Sequence, residues 1–220
     1  MKLWQDQRGV FTIESSLVLP LIFYTVLILL FFCLYLYQQA LLGQAAIVAA
    51  ERTAYTWDNS YRDGLTGAYV DGKHDSLYWR LGDDGLLQAI FGGDGGSGVV
   101  KLTLPAGAGD GEGQSLPLKK LNRTGTKLPE GIDGEMGYDN RLLLRKVSVA
   151  LDRLIPLAPL EAWIDDIHQR SRAESYVVEP TEWIRTVELA RYYGEKFRSG
   201  TSAGGMDKQE AQEALVRFGK

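Results

Sequence analysis

A long apolar run near the amino terminus constrains this chain more than any other feature. Residues 17–36 are uncharged and almost wholly apolar, and a stretch of about twenty such residues is what an α-helix needs to cross the hydrocarbon of a bilayer. The sequence therefore predicts a transmembrane helix over residues 10–37. Lys2 and Arg8 precede the run and residues 38–50 contain no basic residue, so the positive-inside rule predicts a cytoplasmic amino terminus and an extracytoplasmic carboxy-terminal domain.

One acidic residue, Glu14, lies just before the apolar run. A carboxylate in an apolar membrane segment costs about 2.5–3.5 kcal/mol on insertion scales, so such groups usually have a partner. No partner is evident nearby in the uncut chain. If the chain is cut after Gly9, the new amino group of Val10 lies at the edge of the same helix. That ammonium can pair with Glu14 of the same chain or of a neighbouring copy.

These residues form a pattern that is known from membrane-anchored fibre subunits. A basic residue, Arg8, is followed by Gly9, four further residues, Glu14 and then the apolar helix. This order resembles the type III signal of type IV prepilins and pseudopilins. With Pro20 it also gives Glu-x5-Pro, which is similar to the start of TadE-like proteins, the minor pseudopilins of tight-adherence (Flp pilus) systems.

The resemblance implies that a prepilin peptidase removes a cytoplasmic leader, residues 1–9, and leaves the helix in the mature protein. It also implies partners: membrane lipid, the peptidase, other pilin or pseudopilin subunits and the assembly machinery. In a filament, Glu14 would neutralise the amino terminus of a neighbouring subunit. The chain is much longer than the major pilins of such fibres, which favours a minor subunit. It departs from many pilins because Val10, and not an aromatic residue, follows the cut, with Phe11 second.

A plainer interpretation of the same residues stays open. Glu14 can lie at the headgroup level of an ordinary signal anchor, with the Arg8-Gly9 pair there by chance. Pro20 can be a tolerated kink, because proline is more frequent in membrane helices than in soluble ones. The chain would then be a single-pass, unprocessed membrane anchor for an extracytoplasmic binding domain.

Composition narrows the classes of partner. The chain has a net charge of −4 and a pI near 5.3, which does not indicate a nucleic-acid surface. The single cysteine, Cys33, lies in the apolar run, so no disulfide is expected in the ectodomain. With 220 residues, the chain has room for one domain beyond the membrane helix.

The predicted fold is α+β and pilin-like. A long N-terminal transmembrane helix extends into an ectodomain with a small antiparallel sheet and C-terminal helices. Residues 38–56 continue the helix, because small and apolar residues recur there at helical spacing. This small-residue face packs either on its own sheet or on other subunits. The extracytoplasmic domain covers residues 57–200, and residues 201–220 form a C-terminal helix or tail.

Periodicity and turn residues give the order of elements within that domain. Alternation of apolar and polar residues predicts strands, and apolar residues at three- and four-residue spacing predict helices. Strands are predicted at 99–104, 115–121, 144–151 and 171–178, and helices at 160–167, 180–197 and 207–218. Residues 57–98 are enriched in Gly, Asp and aromatic residues, and loops are predicted within them at 83–85 and 92–98. Residues 105–114 and 122–140 are rich in turn formers and are also predicted as loops.

No catalytic or metal-binding motif is found. His74 and His168 are far apart, and His168 is interpreted as part of a solvated helix end. The acid pairs at 83–84 and 165–166 are interpreted as solvated. A calcium site in the Asp-Gly loops is the alternative, although the EF-hand spacing is not met. We therefore predict no enzyme activity, cofactor or metal.

Overall fold

The computed structural model of the chain describes residues 10–76, 79–84, 99–107, 114–141, 144–155 and 167–199. The chain divides into two compact units, Met1–Leu41 and Leu42–Lys220. In the described residues the elements are, in order, α1 (Val10–Tyr55), α2 (Trp79–Asp83), β1 (Val99–Leu104), α3 (Leu116–Gly125), β2 (Asp133–Arg141), β3 (Leu144–Ile155), β4 (Ile167–Tyr176) and α4 (Pro180–Ser199).

Among the described residues, the first unit is the N-terminal part of α1, residues 10–41. Its apolar side chains are exposed almost throughout, for example Leu17 at 72% and Ile28 at 69%. The segment Ser15–Tyr55 is long and apolar enough to span a membrane. Pro20 lies inside the helix, where its missing N–H removes one backbone hydrogen bond. Cys33 is a free, exposed thiol.

The C-terminal part of α1 belongs to the second unit. The helical continuation predicted beyond the apolar run is present, since α1 ends only at Tyr55. One face of this part is buried in the hydrophobic core and consists of small residues and one leucine. These residues are Leu42, Ala46, Ala49, Ala50 and Ala54. The predicted small-residue face therefore packs within its own domain.

A four-stranded antiparallel sheet, ordered β1-β2-β3-β4, faces this helix. One side of the sheet is apolar because side chains alternate along each strand. Its buried residues are Leu104, Met136, Tyr138, Val147, Val149 and Leu151. The Tyr138 ring stacks on the Trp57 ring with centroids 4.2 Å apart, just past the end of α1.

The prediction of a strand at 115–121 is wrong. The segment is part of α3, which begins with Leu116 and has a proline in its first turn. Pro117, Lys120, Leu121 and Thr124 are buried, and their spacing of three and four residues is that of one helix face. Proline in the first turn costs a helix nothing, because the N–H groups there have no intrahelical partner.

The loop predicted at 122–140 is also wrong, because β2 is a central strand of the sheet. Its glycines and acids have low strand propensity, yet Met136 and Tyr138 alternate into the core. The glycines are required by close approach between strands. A Cβ on Gly137 would lie 2.8 Å from the Ser148 Oγ, and one on Gly134 would collide with the Ala150 carbonyl oxygen.

The strands predicted at 99–104, 144–151 and 171–178 and the helix predicted at 180–197 agree with the structure in type. β1 matches its predicted range, while β3 extends beyond residue 151 to Ile155. β4 begins earlier and ends earlier than predicted, and Ile167, placed at the end of a predicted helix, is its first residue. The rest of that helix, the acid pair at 165–166, the Gly-rich loop at 92–98 and the C-terminal segment 201–220 lie outside the described residues.

Candidate functional site

The residues of the predicted processing motif fall at the N-terminal end of α1. Arg8 and Gly9 lie outside the described residues. Val10 and Glu14 lie in the first turns of α1, four residues apart, so that their backbones are on one face and about 6 Å apart along the helix axis. Pro20 follows inside the same helix.

In the second unit, a buried lysine joins three separate segments. Lys120 of α3 has no exposed side-chain surface, and its Nζ lies 2.9 Å from the Asp75 Oδ2. The same ammonium donates a hydrogen bond of 2.6 Å to the Trp57 carbonyl oxygen. It also lies 3.8 Å from the centroid of the Trp79 ring, a cation–π distance. The ammonium thus ties the loop after α1 and α2 to α3.

Both side chains of the Lys120–Asp75 ion pair are almost wholly shielded from solvent, and we call it the sealed pair. Burial lowers the pKa of Lys120, since it disfavours the charged form. Burial alone would raise the pKa of Asp75, but the Lys120 ammonium and hydrogen bonds from Ser60 outweigh it and lower that pKa. The Asp75 side chain is only 3% exposed. The pair is therefore out of reach of a ligand and serves to hold loops together.

A second cation from α3, Arg123, binds the loop that follows α1. Its guanidinium donates to the carbonyl oxygens of Asn59 at 2.6 Å and Thr56 at 2.9 Å. These bonds hold α3 against that loop. Burial lowers the pKa of Arg123 to about 10.

The acid pair at 83–84 was interpreted as solvated, and this is wrong for Asp84. Its side chain is 2% exposed and its Oδ2 lies 3.0 Å from the Arg80 Nε. The Tyr138 hydroxyl donates to the same oxygen at 3.1 Å, and the Asn140 amide donates to the Asp84 carbonyl oxygen at 2.6 Å. Burial raises the pKa of Asp84 despite the Arg80 charge. The network fixes α2 against β2.

The outer side of the sheet carries cross-strand ion pairs and one histidine contact. The N–O distances of the ion pairs are 2.6 Å for Lys101–Glu135, 3.3 Å for Lys146–Glu174 and 2.8 Å for Arg170–Asp152, and the His168 Nδ1 lies 2.9 Å from the Asp152 Oδ1. His168 is thus a strand residue and not the helix end that was predicted. His74 lies exposed in the loop that follows α1. Within the described ranges, no three His, Cys, Asp or Glu side chains are grouped so that they could hold a metal ion.

The second unit has an apolar cleft, which we call the β4–α4 cleft. It has a volume of about 570 Å³ and lies where β3 begins, β4 ends and α4 begins. Five exposed apolar side chains line it, namely Leu144, Tyr176, Val178, Trp183 and Ile184. Trp183 and Ile184 belong to α4, and their side chains are exposed.

A buried ion pair also lines this cleft. The Arg145 guanidinium lies 3.1 Å from the Glu179 Oε2, with side chains 5% and 6% exposed. The other oxygen, Glu179 Oε1, is buried and has no hydrogen-bond partner among the described residues. The Glu179 charge raises the pKa of Arg145 against the effect of burial. Sequence reasoning missed this site, because its parts lie 34 residues apart along the chain.

No family model, curated protein or solved structure matches the chain. The motif at the start of α1 and the architecture of the second unit are therefore the observations from which a function is argued.

Proposed function

We propose that the chain is a minor pilin or pseudopilin subunit of a TadE-like kind, in a tight-adherence pilus or a related secretion apparatus. The observation that carries the proposal is the sequence of Arg8, Gly9, Glu14 and Pro20 ahead of a helix that is apolar enough to span a membrane. The proposal includes a cytoplasmic amino terminus and an extracytoplasmic second unit. It includes no catalytic activity and no cofactor.

The form of α1 supports this proposal. The helix is uninterrupted from Val10 to Tyr55, and it contributes an exposed apolar segment to the first unit. In the second unit the same helix supplies a buried small-residue face, against which an antiparallel sheet packs. One helix that serves both as a membrane segment and as the core of an ectodomain is what a pilin subunit requires.

Glu14 has a specific part in the proposed mechanism. In lipid its carboxylate is unfavourable by about 2.5–3.5 kcal/mol. Cleavage after Gly9 creates an ammonium on Val10, which in an assembly can pair with Glu14 of a neighbouring subunit. Formation of this ion pair away from water favours ordered addition of subunits and sets their axial register. The exposed apolar side chains of α1 then exchange lipid for other helices.

Amino-terminal sequencing of the protein from its native membranes tests the proposal. We expect a mature chain that begins at Val10, and a Gly9→Val variant that still begins at Met1. Glu14→Ala should be processed and then fail to assemble. Glu51→Ala, which removes an exposed carboxylate from the same helix, is the matched control and should assemble normally. A wild-type chain that begins at Met1 in cells containing the peptidase would refute the pilin proposal.

A second candidate function is favoured by the β4–α4 cleft. An anchored domain that binds a partner protein needs an apolar recess of this kind, and it needs neither cleavage nor assembly. Under this alternative the chain keeps residues 1–9 and stays in the membrane. Both Glu14→Ala and the Gly9 variant would then leave its location and partner binding unchanged.

A further inference from the structure

We propose that two copies of this chain associate in the membrane through α1, and that a hydrogen bond between their Tyr24 hydroxyl groups holds the two helices together. The inference rests on the membrane segment that both candidate functions share, and not on cleavage after Gly9. Amino-terminal sequencing tests the cleavage separately, so failure of one proposal is distinguishable from failure of the other.

Tyr24 places a phenol hydroxyl inside the apolar run. It is the eighth residue of the run 17–36, so its Cα lies about 10 Å along the helix axis from the first residue and about 18 Å from the last. Tyr35 and Tyr37 lie instead at the C-terminal end of the run, where aromatic residues settle at the membrane interface. Tyr24 is therefore the tyrosine of the run that lipid surrounds.

The Tyr24 hydroxyl makes no hydrogen bond among the described residues. Its side chain is 63% exposed, and the ring makes an edge-to-face contact with Phe23, with centroids 6.0 Å apart. The neighbouring Thr25 hydroxyl donates to the Leu21 carbonyl oxygen of its own helix at 2.8 Å. A phenol cannot do this, because its ring carries the hydroxyl away from the backbone. A hydroxyl without a partner is costly in hydrocarbon, where no water supplies one.

A second copy of the chain brings a suitable partner to the same depth. Identical single-pass chains insert with the same orientation, so their Tyr24 residues lie at one level of the bilayer. A phenol hydroxyl both donates and accepts a hydrogen bond, so two of them can bond to each other. Hydrogen bonds between polar side chains are one of the interactions that join helices in membranes.

The stripe of α1 that contains Tyr24 fits such a parallel pair. Leu17, Leu21, Tyr24 and Ile28 follow one another at alternating spacings of four and three residues, which is the seam spacing of two helices that cross at about +20°. Their exposure is between 63% and 72%, so this seam is uncovered in the described structure. Equal positions face each other in a parallel pair of identical helices, which brings the two hydroxyl groups together.

Self-association of the full chain in a bilayer tests the inference. Chains that carry a donor or an acceptor fluorescent protein at the C-terminus are reconstituted into phosphatidylcholine vesicles, and energy transfer is measured over a range of protein-to-lipid ratios. We expect a dimer. Tyr24→Phe removes only the hydroxyl and should weaken dimerisation about threefold to tenfold. Tyr37→Phe, the same change at a tyrosine that is 62% exposed, is the matched control and should leave dimerisation unchanged.

Tyr24→Gln separates the hydrogen bond from the packing of the ring, because the amide again donates and accepts. We expect this variant to dimerise at least as tightly as the wild type. A chain that stays monomeric at every protein-to-lipid ratio overturns the inference, and so does a Tyr24→Phe variant that dimerises as tightly as the wild type. Equal weakening by Tyr24→Phe and Tyr37→Phe also overturns it, since the hydroxyl at the interface has water as a partner.

Discussion

Two buried ion pairs of the second unit have similar geometry and different surroundings. Lys120 and Asp75 are 0% and 3% exposed, and Arg145 and Glu179 are 5% and 6% exposed. Lys120 has further partners in the Trp57 carbonyl and the Trp79 ring. Glu179 has an oxygen without a donor in the described part of the chain, and it borders an open cleft.

The difference shows what each pair is suited to do. A sealed pair with all its atoms satisfied contributes to the integrity of the fold, because removal of one charge leaves the other buried alone. In the Arg145–Glu179 pair one carboxylate oxygen has no donor among the described residues, so its charge is less completely compensated. The two pairs should therefore respond differently to substitution in the size of the stability change.

The largest effect is expected from Lys120→Met. The change keeps the apolar stem and removes the ammonium, so that Asp75 becomes an unpaired buried carboxylate. We expect the free energy of unfolding to fall by about 3–5 kcal/mol. Urea unfolding of the full chain in detergent micelles measures it, followed by tryptophan fluorescence, to which Trp57 and Trp79 beside the lysine contribute.

Lys119→Met is the matched control for this substitution. Lys119 precedes Lys120 in the same helix. Among the described residues, the one contact of its Nζ is with the Tyr61 ring, whose centroid is 5.1 Å away. Loss of such a contact costs about 0.5–1 kcal/mol. If the two lysine variants lose similar stability, the Lys120–Asp75 pair does not have the structural role assigned to it.

A smaller effect is expected from Glu179→Gln. The substitution removes the counter-charge of Arg145, but the amide oxygen of glutamine can still accept a hydrogen bond from the guanidinium, which reduces the penalty. We expect a loss of about 1–3 kcal/mol in the same measurement. Glu174→Gln on the outer side of the sheet is the control, because that carboxylate is 39% exposed and its loss should cost no more than about 1 kcal/mol. A loss for Glu179→Gln as large as that for Lys120→Met would remove the distinction between the pairs.

The sequence predicted the elements whose pattern is local. β1 and β3 alternate apolar and polar residues, and α1 has an unbroken apolar run, so their burial follows from the order of side chains. β2 was missed because Gly134 and Gly137 indicate a turn when read alone. Their reason lies in the neighbouring strand, where Ala150 and Ser148 leave no space for a Cβ.

The candidate sites differ in the same way. The residues of the pattern from Arg8 to Pro20 lie close together in the sequence, so the pattern can be recognised without knowledge of the fold. The β4–α4 cleft joins the start of β3 to residues 176–184, and only the register of β3 on β4 brings them together. A single local signal existed for the buried acids: Arg80 and Asp84 are four residues apart, the spacing of a helical ion pair.

The smallest effect is the response of stability to acid, in which Asp75 differs from a second buried aspartate, Asp84. Both aspartates have an ordinary pKa of 3.8, which folding lowers for Asp75 and raises for Asp84. The contribution of Asp75 to stability is therefore present above pH 3.8 and lost as the pH falls through its folded pKa. The contribution of Asp84 is greatest below pH 3.8 and lost as the pH rises through its folded pKa.

Asn substitutions separate the two contributions, because asparagine resembles the protonated acid. As the pH rises from about 3 to about 6, Asp75→Asn should become more destabilising relative to the wild type, and Asp84→Asn less so. Urea unfolding at several pH values gives both slopes. Slopes of equal sign would mean that burial does not outweigh the Arg80 charge at Asp84, or that the Lys120 ammonium does not outweigh burial at Asp75. Opposite slopes would show that the Lys120 ammonium and the Ser60 donors outweigh burial at Asp75, whereas burial outweighs the Arg80 charge and the Tyr138 donor at Asp84.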